Sequence, residues 1–310
     1  MTTKVTADIN VTVIGLGAMG MAIARCLSRT GFAVHGRDVA PAAVQRATAD
    51  GLTATLVDDA HPLNPNAEDV IVTSVPADAE LRQVAQRLST WQPTQGRASV
   101  TLVDTSTVLP TTIREVAATL SDKMVVIDAA VSGGPDQAAA GTLTVYVGGA
   151  PAPDSAAARV LNTLAGTTVD CGGPGDAKLV KLRNNTMSWA NTAVAAEVMA
   201  LGVELGLDSE WLYGALEAGN GRSHQFEKRF GRLVKGDDIA YFTLAMGIKD
   251  VRLTASLAAG SPSPTPLTTA LLQALRDVDG TWANHDIAAT YHHYRHVARE
   301  THEKEEGHPA

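Results

Sequence analysis

Lys178, Lys181 and Asn185 stand at helical spacing on one stretch of the chain, with Ser188 just beyond them. Residues four apart share a helix face, so Lys181 and Asn185 are neighbours there. An amine partly withdrawn from water titrates closer to neutrality, and it can take or return the proton of a hydroxyl group. A carboxamide one turn away can orient both the amine and that hydroxyl. Periodicity alone leaves a solvated face with ordinary surface lysines as the competing reading. Upstream, Ser132, Gly133 and Gly134 follow an apolar run. Two glycines present consecutive N–H groups and the serine adds a hydroxyl donor, a set suited to a carboxylate. A plain structural turn is the alternative.

A third group lies near the N-terminus. Residues 13–20 read VIGLGAMG, so Gly15, Gly17 and Gly20 form GxGxxG directly behind an apolar run. The first glycine permits a tight turn, the second lets a pyrophosphate touch the backbone, and the third lets the following helix pack closely. Leu16, Ala18 and Met19 fill the positions between, and the helix N-terminus offers its free N–H groups to phosphate. The next strand, FAVHG, leads into Arg37 and Asp38. An acidic residue about 20 positions beyond the turn is placed to grip a ribose hydroxyl.

The elements that must hold these groups follow from periodicity. Strand-like runs at Val11–Ile14, Val70–Thr73, Val100–Val103 and Met124–Ile127 alternate with helix-period stretches at 21–29, 40–49, 79–88 and 111–120. This alternation predicts βαβ units and a mainly parallel sheet. A strand at 142–147, a helix near 154–164 and a short strand near 167–170 complete the half. Beyond Pro174 the pattern is helical throughout: one long helix over 176–206, then segments near 209–218, 224–234, 244–258, 266–278 and 286–298. The expected fold is α/β, a Rossmann-type parallel-sheet domain (1–173) followed by an all-helical domain (174–310), joined by a long interdomain helix. The stretch SPSPTP reads as a helix–helix loop with Pro266 opening the next helix, and the closing RETHEKEEGHPA as a frayed tail.

Composition bounds the partners. With 33 acidic against 25 basic residues, the net charge of −8 disfavours nucleic acid. The two cysteines, Cys26 and Cys171, have no paired spacing. No apolar stretch of membrane-spanning length occurs, and MTTKVTADIN lacks an apolar leader core, which points to a cytoplasmic chain with no membrane partner. His292 and His296 stand four apart in YHHYRH, but no further ligand has a metal-site spacing, so no metal is expected.

The motifs together resemble a known family. GLGAMGMAIARCLSRTGFAVHGRD, DAAVSGGPDQAAAGTLTVYVGG (128–149), GDAKLVKLRNN (175–185) and MGIKDVRL (246–253) are similar, in order, to segments of the β-hydroxyacid dehydrogenases. The resemblance spans about residues 10–298. It implies a nicotinamide dinucleotide as cofactor and a small β-hydroxy acid as substrate; Asp38 selects NAD, and the apolar character of the helical domain points to a homodimer or homotetramer. The resemblance implies Lys181, rather than Lys178, as the catalytic acid/base, with Asn185 beside it. Ser132, Gly133 and Gly134 become the substrate-carboxylate site, and Arg222 and Ser223 substrate contacts. Val75, Pro76, Thr107 and Lys249 become cofactor contacts beside Gly15, Leu16, Gly17, Ala18, Met19, Gly20 and Asp38. One departure is Ala177, where the family has glycine; it puts the local loop geometry in question. An imine reductase on the same architecture is an alternative, opposed by the retained Lys181 and SGG segment. A 6-phosphogluconate dehydrogenase would need a larger helical domain, and a non-catalytic dinucleotide-binding protein would have an eroded lysine or SGG segment.

Overall fold

The computed structural model describes residues 8–58, 61–63, 69–91, 100–237, 239–278 and 280–306. The start of MTTKVTADIN and the last four residues lie outside them. The chain divides into two compact units, Met1–Lys181 and Leu182–Ala310.

The first unit is built on an eight-stranded sheet in the order β3-β2-β1-β4-β5-β6-β7-β8. The strands are β1 (Asn10–Ile14), β2 (Ala33–Asp38), β3 (Thr53–Leu56), β4 (Val70–Thr73), β5 (Val100–Asp104), β6 (Met124–Ser132), β7 (Leu143–Gly148) and β8 (Ala165–Gly172). Neighbours are parallel except β6 and β7. The first six strands have the 3-2-1-4-5-6 order, whose switch point, between β1 and β4, is where dinucleotides bind.

Helices cover both faces. Val11, Val13, Val72, Val103 and Ile127 pack with residues of α1 (Ala18–Arg29), α2 (Pro41–Ala49) and α6 (Ala156–Leu164). Ile14, Ile71, Leu102 and Val126 pack with α3 (Asp78–Ser89) and α4 (Pro110–Leu120). Buried on both faces, these strands read as near-continuous apolar runs, as parallel sheets require.

Two elements of this unit are absent from the sequence reading: β3, a four-residue strand on the sheet edge, and α5 (Pro135–Ala140). The strand before Ser132 also runs five residues further than expected, so Ser132 is its last residue. The chain then reverses through α5 and Gly141, whose φ of 70° and close approach to the Thr163 carbonyl exclude a side chain. This short reversal makes β7 antiparallel to β6.

The helix α7 (Asp176–Glu204) leads into the second unit, which continues with α8 (Ser209–Glu217), a π-helical turn at Phe226–Phe230, α9 (Gly231–Leu233), α10 (Leu244–Ala259), α11 (Pro266–Asp277), a 3-10 turn at Ile287–Ala289 and α12 (Thr290–Glu306). The expected helix over 224–234 is thus not one α-helix. Its wide turn stacks Phe226 on Phe230, with ring centroids 5.6 Å apart, and seats Gly231 against the Tyr213 hydroxyl. The tail expected to fray is helical through Glu306. Pro266 opens α11 as expected. Trp189 anchors one of the unit's cores: its ring stacks on Phe242 at 4.4 Å and the Arg229 guanidinium lies over it at 5.3 Å.

Candidate active site

In the first unit the predicted residues gather beyond the C-terminal ends of β1, β2, β4, β5 and β6. The three glycines of the β1–α1 turn have separate physical roles. Gly15 has φ of +93°, and a Cβ there would lie 2.2 Å from the Ser74 carbonyl oxygen. A Cβ at Gly20 would lie 1.8 Å from the Gly15 carbonyl oxygen. Both are closed positions. Gly17, the N-cap of α1, is open: a Cβ there meets nothing within 4 Å, and no side chain caps the helix. An exposed backbone with uncapped amides fits a pyrophosphate. Ala18 is exposed and Met19 half-buried at the same helix start, whereas the Leu16 side chain is buried under Gly36 of β2.

Asp38 ends β2. Its Oδ2 accepts the Leu16 N–H at 2.6 Å and its Oδ1 the Ala40 N–H at 2.8 Å, so the carboxylate is locked beside the glycine turn. Neighbouring side chains of a strand point to opposite faces. Accordingly, the Arg37 guanidinium donates to the carbonyls of His61 and Pro62, at 2.6 and 3.2 Å. Val75 and Pro76 follow β4, and the Val75 N–H donates to the Ser106 hydroxyl at 3.0 Å. Thr107 is half-buried in the segment after β5.

Ser132, at the end of β6, shares a side-chain hydrogen bond with Tyr146 of β7. Burial pushes the Tyr146 phenol up and the Cys171 thiol adds to this, while the Ser132 bond opposes it. Gly133 has φ of +136°. The Gly134 N–H, expected to face an anion, donates to the Gln137 side chain at 3.1 Å. Gln137 sits at the third position of α5 and reaches back over the helix start, so one arm of the expected nest is occupied by a side chain.

Lys181 is buried on α7, only 9% exposed. Asn185, one turn on, is also buried, and its amide donates to Asp250 Oδ2 at 2.6 Å. Asp250 lies on α10, and its other oxygen is 3.1 Å from the Lys249 ammonium. Sequence reasoning missed Asp250, although it adjoins Lys249 in GIKD. It missed Tyr146 and Gln137 as well, which fall inside the matched 128–149 segment. Ala177 is a fully buried residue in the first turn of α7, where alanine is at home, and the required glycine is Gly175, at φ +97° against Arg114. Ser223 accepts the Phe226 N–H at 3.2 Å, a helix-turn role, and Arg222 is exposed. Among the described residues no group of three or more His, Cys, Asp or Glu could hold a metal ion.

Comparison with known proteins places the chain in a family. Residues 10–173 match the family profile described as the NAD binding domain of 6-phosphogluconate dehydrogenase. Residues 175–294 match that described as NAD-binding of NADP-dependent 3-hydroxyisobutyrate dehydrogenase. The L-threonate dehydrogenase of Cupriavidus necator is 31% identical over 267 residues, 85% of this chain and 88% of that one.

The chain belongs to the β-hydroxyacid dehydrogenase family.

A family structure, Mycobacterium tuberculosis 3-hydroxyisobutyrate dehydrogenase with L-serine, has a TM-score of 0.78 at 27% identity, covering 93% of this chain and 99% of that one. A reductive aminase from Aspergillus terreus shares the fold alone, with a TM-score of 0.57 at 18% identity over 93% and 99% of the two chains.

The glycine geometry makes a paired prediction. Gly20→Ala should cost about 3 kcal/mol or more of stability, because its methyl group enters backbone. Gly17→Ala should stay within about 1 kcal/mol of the parent yet weaken dinucleotide binding about tenfold or more. Urea unfolding and a fluorescence titration with NADH read the two effects; equal stability losses would remove the distinction.

Proposed function

We propose that this protein is an NAD-dependent dehydrogenase of small β-hydroxy acids, with Lys181 as its general acid/base. The observation that carries the reading is a buried lysine on α7, four residues before an asparagine whose amide is held by a buried aspartate, in a chain with an open Gly17 cradle. Residues 1–173 would hold the dinucleotide, and 174–310 would supply the remaining substrate and subunit contacts.

A bound nicotinamide supplies the hydride acceptor. Oxidation of the alcohol also releases the hydroxyl proton, and the Lys181 amine takes it; in the reverse direction the ammonium returns it. Asn185 orients the hydroxyl, its own rotamer fixed by Asp250. Ser132 and the Gly133 amide receive the substrate carboxylate, and Gln137 swings off the Gly134 N–H when an anion takes its place. This carboxylate site favours a hydroxy acid over an imine. L-threonate, 3-hydroxyisobutyrate and L-serine are the first probes, assayed with NAD by the absorbance of the reduced nicotinamide. Lys181→Ala should keep NAD binding and lose about 10²–10⁴-fold in turnover. Parent-like turnover in that variant would end the acid/base assignment.

The preference for NAD rests on Asp38. A 2′-phosphate beside that carboxylate would meet like charge at close range. Val39 is 72% exposed and offers no donor, and Arg37 is engaged with the 61–62 carbonyls. The parent should therefore turn over faster with NAD, and Asp38→Asn with Val39→Arg should shift the ratio of kcat/KM values toward NADP. Equal or better use of NADP by the parent would move the determinant to Arg37.

The same reading takes a homodimer or homotetramer, with a second copy of this chain on α7. Beyond its buried side, this helix exposes Met187, Val194, Val198 and Leu201, and Leu205 just past its end continues the stripe. A helix apolar on both sides has two burial partners. The steps of seven, four, three and four residues make a coiled-coil-like seam, with exposed Asn191 as its polar register mark. One helix meeting its own copy satisfies two-fold symmetry. Val198→Glu with Leu201→Glu should give monomer by light scattering, whereas an unchanged mass would place the interface elsewhere. Free Cys26 and Cys171 accord with a cytoplasmic setting, and no helix among the described residues is long and apolar enough to cross a membrane.

A further inference from the structure

Lys178, set aside above as a catalyst, is wholly buried. Its ammonium lies 2.8 Å from Asp104 Oδ2 and 3.0 Å from Asp128 Oδ1, and donates to the Asp104 main-chain carbonyl at 2.9 Å. The ammonium is enclosed by these three oxygens inside the fold, so it is not presented to a substrate. Asp104 and Asp128 are register partners on β5 and β6, and both are wholly buried. Their remaining oxygens are also used. Asp128 Oδ2 accepts the N–H groups of Gly175 and Lys178, at 2.8 and 3.2 Å. Asp104 Oδ1 accepts the Thr73 hydroxyl at 2.7 Å and the Ser106 N–H at 3.3 Å. One cluster thus ties the ends of β4 and β5 and the middle of β6 to the first turn of α7, by its backbone and by its side chain.

Burial alone would push the Lys178 ammonium down, but the two carboxylates outweigh it and hold it above the ordinary lysine range. The stabilisation this ion pairing contributes is therefore complete at neutral pH, and is lost only as pH rises through that elevated value. Two carboxyl groups and one amine are nevertheless buried together away from water. Burying ions is costly, and well-packed apolar residues often stabilise a fold as well or better. What an apolar filling does not supply is direction. Each of these bonds accepts only a narrow range of angles, and together they fix both the rotation and the height of the turn.

We propose that Lys178 is a positioning residue, clamped by Asp104 and Asp128 so that the first turn of α7 presents Lys181 at one fixed place relative to the end of β5 and the middle of β6. The proposal rests on the reading of Lys181 as acid/base. Lys181 follows Lys178 by three residues, a rise of about 4.5 Å along the helix and nearly a full turn. A small rotation of that turn displaces the reacting amine, and misplacement by about 1 Å can cost roughly 10²-fold in rate.

Lys178→Met alone strands two buried carboxylates and should melt far below the parent. The informative variant is therefore the triple Asp104→Asn, Asp128→Asn, Lys178→Met, whose amide oxygens still accept from Thr73, Gly175 and the residue-178 N–H. It should melt within a few degrees of the parent and bind NADH with unchanged affinity. With whichever of L-threonate, 3-hydroxyisobutyrate and L-serine the parent oxidises fastest, kcat should fall about 10²-fold while KM stays within about threefold. The deuterium isotope effect on kcat, with label on the carbinol carbon, should rise as the chemical step becomes limiting. A folded triple variant with parent kcat and isotope effect would overturn the proposal. Lys181→Ala run alongside separates the two ideas: if it is inactive while the triple variant is normal, only the clamp fails. If Lys181→Ala is fully active, the acid/base reading fails and the clamp has nothing to position.

Discussion

The turn after β1 and the end of β4 approach until main chain touches main chain. Gly15 admits no Cβ because the Ser74 carbonyl stands in its place, and Gly20 admits none because the Gly15 carbonyl does. That double exclusion brings α1 down onto the turn, and it leaves Gly17 as the one glycine of the three facing open space. Closing the turn at two points and opening it at the third is a single steric event. The placement of Asp38 follows from it, since the carboxylate is held by the amide of Leu16, inside that same turn.

The polar groups of the site are fixed in a comparable way, by acids drawn from other elements. Asp38 braces the turn, Asp128 braces the start of α7, and Asp250 braces Asn185. Each carboxylate accepts from N–H groups of the glycine turn, of the start of α7 or of Asn185. Asp38 is half-buried, whereas Asp128 and Asp250 are buried, and there desolvation is the cost of direction.

The α/β half was legible in the sequence wherever strands were fully buried and hence uniformly apolar. β3 was not, because Thr53–Leu56 is a short, partly exposed edge strand with no apolar run. The glycine turn and Asp38 were legible because local spacing determines them. The choice of Lys181 over Lys178 as the proposed acid/base needed the family resemblance, since Lys178 lies three residues away on the same face and periodicity treats them alike. Only the pairing of Asp104 with Asp128 across two strands separates the two lysines, and those acids lie 74 and 50 residues from Lys178. Asp250 and Tyr146 were missed for the same reason, since each matters through a partner brought to it by the fold, whereas Gln137 was missed with the short helix α5 that it caps. The π-helical turn at Phe226 carries no local sequence mark, being set by the Tyr213 and Phe230 rings.

The placement of the aromatic residues also divides the molecule optically. Of its four tryptophans, Trp189, Trp211 and Trp282 belong to 182–310 and Trp91 alone to the sheet unit. Trp189 is stacked in a dry core under a cation, while Trp211 is 64% exposed. Intrinsic fluorescence therefore witnesses the helical unit three times over and the nucleotide-binding sheet once. An emission-monitored denaturation curve is weighted accordingly, whereas far-ultraviolet dichroism samples the peptide backbone of both. Superposition of the two curves is then a genuine test of whether the halves melt in concert, because each spectroscopic method looks at a different part of the chain.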